Sequence, residues 1–82
     1  MSMIRAKHHL DNVRSALAVA MNHVQQAEAA DVDHEMAGEI YDKMRVNLHV
    51  VDLYCIGLIA SRRPDLDRET AAIDASREAD CV

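Results

Sequence analysis

The chain has 82 residues, enough for one small domain, and half of them are hydrophobic, which excludes general disorder. With two Gly, one Pro and two Tyr as its only large aromatic residues, the composition suits helices and argues against a many-stranded sheet. The net charge of −5 makes the chain a poor candidate for binding a nucleic-acid phosphate backbone.

The first predicted helix spans about residues 3–29. Apolar and small residues recur there at alternating spacings of three and four, which is an unbroken heptad seam. Its members are Met3, Ala6, Leu10, Val13, Leu17, Ala20, Val24 and Ala27. Continuing the same phase would bury Asp31, His34 and Gly38, so the seam predicts a reversal near residues 30–33. Asp31 or Asp33 is then expected to cap the next helix.

The second predicted helix spans about residues 33–62 and ends where Pro64 prevents continuation. Two heptad seams overlap on it. The first is Ala37, Ile40, Met44, Asn47, Val51, Tyr54 and Leu58, and the second is Tyr41, Met44, Leu48, Val51, Cys55 and Leu58. Both predicted helices are roughly 40–45 Å long, so we expect them to pair as an antiparallel hairpin.

Asn47 allows two interpretations. If the first seam is the packed one, Asn47 is a buried polar residue that fixes the register of the helices. If the second seam is packed, Asn47 lies only at its edge.

The second half of this helix is more apolar than a hairpin requires, because hydrophobic residues point to all sides of it. The first helix covers one side. The remaining apolar residues form what we term the predicted interaction face: Val46, Val50, Leu53, Tyr54 and Ile56. We expect a second copy to cover this face in a homodimeric four-helix bundle, or a different protein to do so.

Residues 1–63 therefore form a predicted hairpin domain, and residues 64–82 a short helix with a frayed tail. The apolar face of that short helix is weak, and we expect fraying from Ser76 onward. On this interpretation residues 64–82 are an appendage that the hairpin does not need for folding.

Five histidines raise the question of a metal site: His8, His9, His23, His34 and His49. The helical ligand patterns H-x-x-x-H and E-x-x-H do not occur. His49 with Asp52 is at most a half-site, and the carboxylates around His34 already have a capping role. We predict neither a metal nor an organic cofactor.

Catalytic patterns are also missing from the sequence. Cys55 lies among Leu, Ile and Tyr, where a thiol behaves as an inert small hydrophobe, and Cys81 falls in a polar tail. No Gly-rich phosphate loop, nucleophile elbow or Ser/His/Asp arrangement appears. We therefore expect a protein that is not an enzyme.

Three functional classes remain after these exclusions. The favoured one is a small helical protein–protein interaction module, such as an adaptor, an inhibitor or anti-activator, or a secretion-chaperone-like regulator. The first alternative is an RNA- or DNA-binding hairpin dimer, in which Arg14 lies level with Lys43 and Arg45. The second alternative is a metal-binding protein that uses the histidines.

The same residues suggest a compartment. Residues 1–12 are polar, and the longest apolar run, residues 50–60, is interrupted by Asp52 and is too short to span a bilayer. We expect a cytoplasmic protein that does not enter membranes.

Overall fold

The computed structural model describes residues 2–32 and 34–80, and all regular structure in these ranges is helical. The helices are α1 (Met3–Ala30), α2 (His34–Ser61) and α3 (Arg63–Asp80), which confirms the all-α class. The first two begin and end within one residue of their predicted bounds. The third continues beyond Ser76, where we expected fraying. Asp33 and Cys81 lie outside the described residues.

Helix α1 has a capping residue at each end. The Ser2 side chain accepts a hydrogen bond from the backbone N–H of Arg5 at 3.2 Å, which satisfies one of the free N–H groups of the first turn. At the other end, the N–H of Asp31 donates to the carbonyls of Ala27 and Glu28 at 3.0 and 3.3 Å. Asp31 thus ends α1, and its carboxylate accepts a 2.8 Å hydrogen bond from the Tyr41 hydroxyl of α2.

Helices α1 and α2 touch through residue pairs that run in opposite order along the two helices. Glu28, late in α1, meets Arg45 at 2.8 Å, whereas Arg14, in the first half of α1, meets Asp52 at 2.8 Å. The best-covered positions of α2 recur at three- and four-residue spacings: Tyr41, Arg45, Leu48, Asp52, Cys55 and Ile59. The covered side of α2 therefore mixes polar and apolar residues.

Helix α3 is joined to α1 as well as to α2. Pro64 stands in the first turn of α3, where a missing N–H is tolerated, and the N–H of Leu66 donates to the Arg62 carbonyl at 3.0 Å. The Leu66 side chain is buried. The Glu69 carboxylate accepts from the backbone N–H groups of Met3 at 2.8 Å and Ile4 at 2.7 Å. The first two turns of α3 therefore hold the start of α1.

The single chain does not enclose a core. Among the described residues, only Cys55 and Leu66 are buried. The radius of gyration is 19.3 Å, whereas a compact domain of this length would have about 12 Å. The exposed surface is 6465 Å², whereas a folded monomer of this mass exposes about 4,900 Å². The chain thus exposes roughly 1,600 Å² more surface than a compact monomer of the same mass.

Candidate protein-interaction surface

An uncovered apolar stripe runs along α2. Its residues follow the heptad spacing four, three, four, three, four, so at 100° per residue they share one side of the helix. We call this stripe the exposed seam, and it consists of Ile40, Met44, Asn47, Val51, Tyr54 and Leu58. Tyr54 is 73% exposed and Ile40 57% exposed, and the other apolar members are each more than 40% exposed.

The exposed seam bears on the two heptad seams that the sequence left as alternatives. Most of the first predicted seam, including Val51, Tyr54 and Leu58, is left open in the structure. The covered side of α2 lies about a quarter turn away, and it includes Leu48 and Cys55 from the second predicted seam. Asn47 is accordingly exposed, within an open apolar stripe.

The predicted interaction face is mostly open in the single chain. Val46, Leu53, Tyr54 and Ile56 are exposed, and Val50 is partly covered. Apart from Tyr54, these residues do not belong to the exposed seam. Two sides of α2 are therefore open in the single chain, the predicted interaction face and the exposed seam. The signal for the second side was present, because its residues are those of the first predicted heptad seam.

An apolar groove continues the exposed seam onto α1. It has a volume of about 400 Å³ and is lined by two residues of α1 and four of α2: Ala20, Val24, Met44, Asn47, Leu48 and Val51. The side chains of Ala20 and Val24 in α1 are short, and they leave space beside α2. The groove therefore has the form that receives side chains of a third helix packed against the first two.

The charged groups between α1 and α2 hold the pair in register. The Nε–H group of Arg14 donates a hydrogen bond to the Asp52 carboxylate, and this bond raises the pKa of Arg14 above its ordinary value. Arg45 donates to the Glu28 carboxylate and also to Asp42, and these contacts raise the Arg45 pKa in the same way. Both guanidinium groups therefore stay charged and paired.

These ion pairs also weaken the nucleic-acid alternative. Arg14 was expected to lie level with Lys43 and Arg45, but it lies about two helical turns away, opposite Asp52. Lys43 has the Glu39 carboxylate 3.9 Å from its Nζ. Each of the three basic residues thus has an acidic neighbour, and they do not form one basic patch for phosphates.

The histidines do not assemble a metal site in the described part of the chain. No group of three or more His, Cys, Asp or Glu side chains comes together there. His49 and Asp52 both line a groove of about 260 Å³ beside α1, but the Asp52 carboxylate is bound to Arg14. The side chain of His34 lies outside the described residues.

A larger groove, of about 440 Å³, lies where α3 meets the start of α1. Its polar groups are already engaged with one another. Glu69 takes two N–H groups of the first turn of α1, and Asp65 pairs with both Arg62 and Arg68. The groove therefore serves to join α3 to α1.

Within the described residues, one segment, Glu35–Ser61 of α2, is long and apolar enough to cross a membrane when judged by length and composition alone. It carries Arg45 and Asp52, and both are paired with α1. Charged side chains are expensive to place within lipid.

Comparison of the chain with protein-family models, with curated proteins and with solved structures finds no match.

Proposed function

We propose that this protein is a small, non-catalytic, cytoplasmic interaction module that binds other protein surfaces through the apolar sides of α2. Its assembled form is a homodimer, in which the α1–α2 hairpins of two copies pack as a four-helix bundle. This role is that of an adaptor, an inhibitor or anti-activator, or a chaperone-like regulator.

The observation that carries the proposal is the surplus of exposed surface. An obligate homodimer interface buries about 2,000–5,000 Å² in total, or about 1,000–2,500 Å² from each chain. The excess of roughly 1,600 Å² over a compact monomer falls inside that range. Much of the surface is aliphatic, and burying one such side chain fully contributes about 1.5–3 kcal/mol.

The state of the reactive and charged side chains also bears on the proposal. The only described thiol, Cys55, is buried, and the charged residues between α1 and α2 are used in ion pairs. Thirteen large hydrophobic side chains remain exposed among the described residues, most of them on α2, and exposed apolar surface is the chemistry of protein association.

Light scattering coupled to size-exclusion chromatography tests the proposal on the full chain. We expect a particle of twice the 9.1 kDa chain mass at micromolar concentration. Val51→Asp should convert it to a monomer, because one buried charge opposes association by several kcal/mol. Val19→Asp, on α1 at an exposed valine, is the matched control and should leave the dimer intact.

Two results would contradict the proposal. A wild-type chain that stays monomeric and folded at all concentrations would remove the need for a partner. Flotation of the protein with lipid vesicles, without dimerisation in their absence, would favour a membrane-bound helix instead.

A further inference from the structure

We infer that two copies of this chain pair through one face of the hairpin, formed by α1 and α2 together, and that α2 of each copy packs against α1 of the other. We call this surface the groove face. It consists of the exposed seam of α2 and of the α1 residues on the same side of the hairpin: Ala6, Val13, Ala20, Val24 and Ala27. The inference rests on the proposed function and specifies which surface pairs and how the two copies are arranged.

Two grooves between α1 and α2 distinguish the two faces of the hairpin. The groove of about 400 Å³ is bordered on α1 by Ala20 and Val24, and Asn47 is its only polar lining residue. The groove of about 260 Å³ contains the Arg14–Asp52 ion pair. Leu48 lines both grooves, so it lies between them and they open to opposite sides of the hairpin. One face is therefore apolar and the other is charged.

The charged residues of α1 lie away from the groove face. Between residues 6 and 27 they are Lys7, Asp11 and Arg14. At 100° per residue, each of them is turned by roughly 120–180° around the helix from Ala20. Lys7 and Asp11 pair with each other at 2.8 Å. A neighbour that covers the groove face thus encloses no charged side chain of this part of α1.

Helix α2 shows the same separation. Between residues 44 and 61 its charged residues are Arg45 and Asp52, and both form ion pairs with α1. They lie roughly 100–120° around the helix from Val51. Lys43 lies at the outer edge of the exposed seam, where its side chain is 70% exposed and keeps its ammonium group in water. The groove face can therefore be covered without leaving an unpaired charge buried.

The area of the uncovered surface suits a second copy. The chain exposes roughly 1,600 Å² more than a compact monomer of its mass, and each chain of an obligate homodimer buries about 1,000–2,500 Å². A second hairpin presents the same apolar face in return. Closed two-fold pairing then covers both faces at once and leaves neither open to further copies.

The sizes of the side chains favour one arrangement of the two hairpins. The α1 part of the groove face has short side chains, such as Ala20 and Ala27, whereas the α2 part has long ones, such as Met44, Tyr54 and Leu58. If each helix faced its own copy, short side chains would meet short ones and long would meet long, and the gap between the hairpins would be uneven. If α2 lies over α1 of the second copy, long side chains meet short ones along the whole face.

This arrangement also fixes the register of the two copies. Its two-fold axis is parallel to the helices, so rotation about it leaves every residue at the same level along the bundle. Ala20 and Val51 line the same groove within one chain, and Ala20 is therefore also level with Val51 of the second copy. One heptad along in each direction, Val13 is level with Leu58 of the second copy and Ala27 with Met44 of the second copy.

Disulfide trapping tests the arrangement on the full chain. Ala20→Cys and Val51→Cys are made separately in a Cys81→Ser background that retains the buried Cys55, and the two proteins are mixed, exchanged and mildly oxidised. We expect disulfides between the two different variants at least about tenfold over disulfides between identical ones, because the bond requires Cα atoms within about 7 Å of each other.

A matched control uses the other open side of α2. Leu53 is two residues from Val51 and is exposed to a similar extent, 51% against 41%, but it belongs to the predicted interaction face. We expect no disulfide when Leu53→Cys is mixed with Ala20→Cys. A disulfide there, with none between Ala20→Cys and Val51→Cys, would show that the groove face is not the interface.

An exchange of side-chain size provides an independent readout. Ala20→Leu fills the space that Val51 of the second copy occupies, so it should weaken the dimer about tenfold in sedimentation. When Ala20→Leu is mixed with Val51→Ala, one interface contact becomes Leu against Ala and the other is unchanged. We expect heterodimers about tenfold above the statistical proportion. Since the two substitutions are on different chains, compensation within one chain cannot produce this result.

The outcomes separate the two proposals. Disulfides between two Val51→Cys chains but none with Ala20→Cys, or random mixing of Ala20→Leu with Val51→Ala, would overturn the arrangement and leave the homodimer of the proposed function intact. A wild-type chain that does not dimerise at all would overturn both.

Discussion

Replacement of Glu69 tests whether α3 is part of the folded unit. The Glu69 carboxylate accepts two backbone hydrogen bonds from the first turn of α1, at 2.8 and 2.7 Å, across 66 and 65 residues of sequence. Loss of a capping side chain costs about 0.5–2 kcal/mol, and the negative charge at a helix N-terminus adds to it. We expect Glu69→Ala to destabilise the protein by about 1–2 kcal/mol. For a domain of this size, that lowers the Tm by roughly 4–16 °C.

The assay is thermal unfolding followed by circular dichroism at one fixed protein concentration, because association would otherwise shift the Tm. Glu69→Gln keeps one acceptor oxygen and loses the charge, so it should fall between Glu69→Ala and the wild type. Asp74→Ala, at an exposed position of the same helix, is the control and should change the Tm little. Amide exchange at Ile4 should also accelerate in Glu69→Ala. If Glu69→Ala unfolds at the same temperature as the control, the capping argument fails.

Three further changes give distinct expectations. Truncation after Arg63 removes the buried side chain of Leu66 and the Glu69 carboxylate that binds the first turn of α1, so it should lower the free energy of unfolding by roughly 3 kcal/mol. If urea unfolding is unchanged, residues 64–82 are an appendage after all. Asn47→Leu should tighten the dimer about tenfold in sedimentation while relaxing its orientation; a weaker dimer would mean that the amide makes a needed bond. The Tyr41 hydroxyl donates to Asp31, which raises the Tyr41 pKa above its ordinary value of about 10. Stability from this bond is therefore full below about pH 10 and lost as pH rises through the raised pKa, and Tyr41→Phe should remove that part of the alkaline loss measured by urea unfolding.

The helices themselves were predictable from the sequence. The heptad spacing of α1, its failure beyond residue 30 and the Arg-Arg-Pro stop of α2 are local signals, and local signals fix where a helix begins and ends. The observed bounds of α1 and α2 follow them within one residue. The uncovered side of α2 was also foreseen in part, because a helix that is apolar all round needs more than one neighbour.

The rotation of α2 against α1 was not predictable in this way. Apolar residues lie on nearly every side of α2, so hydrophobic spacing alone favours no single side. In the structure the side that faces α1 carries two ion pairs, Glu28 with Arg45 and Arg14 with Asp52, whose members are remote in sequence. As a result, polar residues lie between α1 and α2, and the most regular apolar seam stays open.

The role of α3 depended even more on the tertiary structure. Nothing near Glu69 in the sequence marks it as the cap of a helix that begins 66 residues earlier. The sequence by itself determined which segments are helical and that α2 has more apolar surface than one partner covers. Only the tertiary structure decided which side of α2 is open and how α3 is held, because both depend on contacts between residues that are distant along the chain.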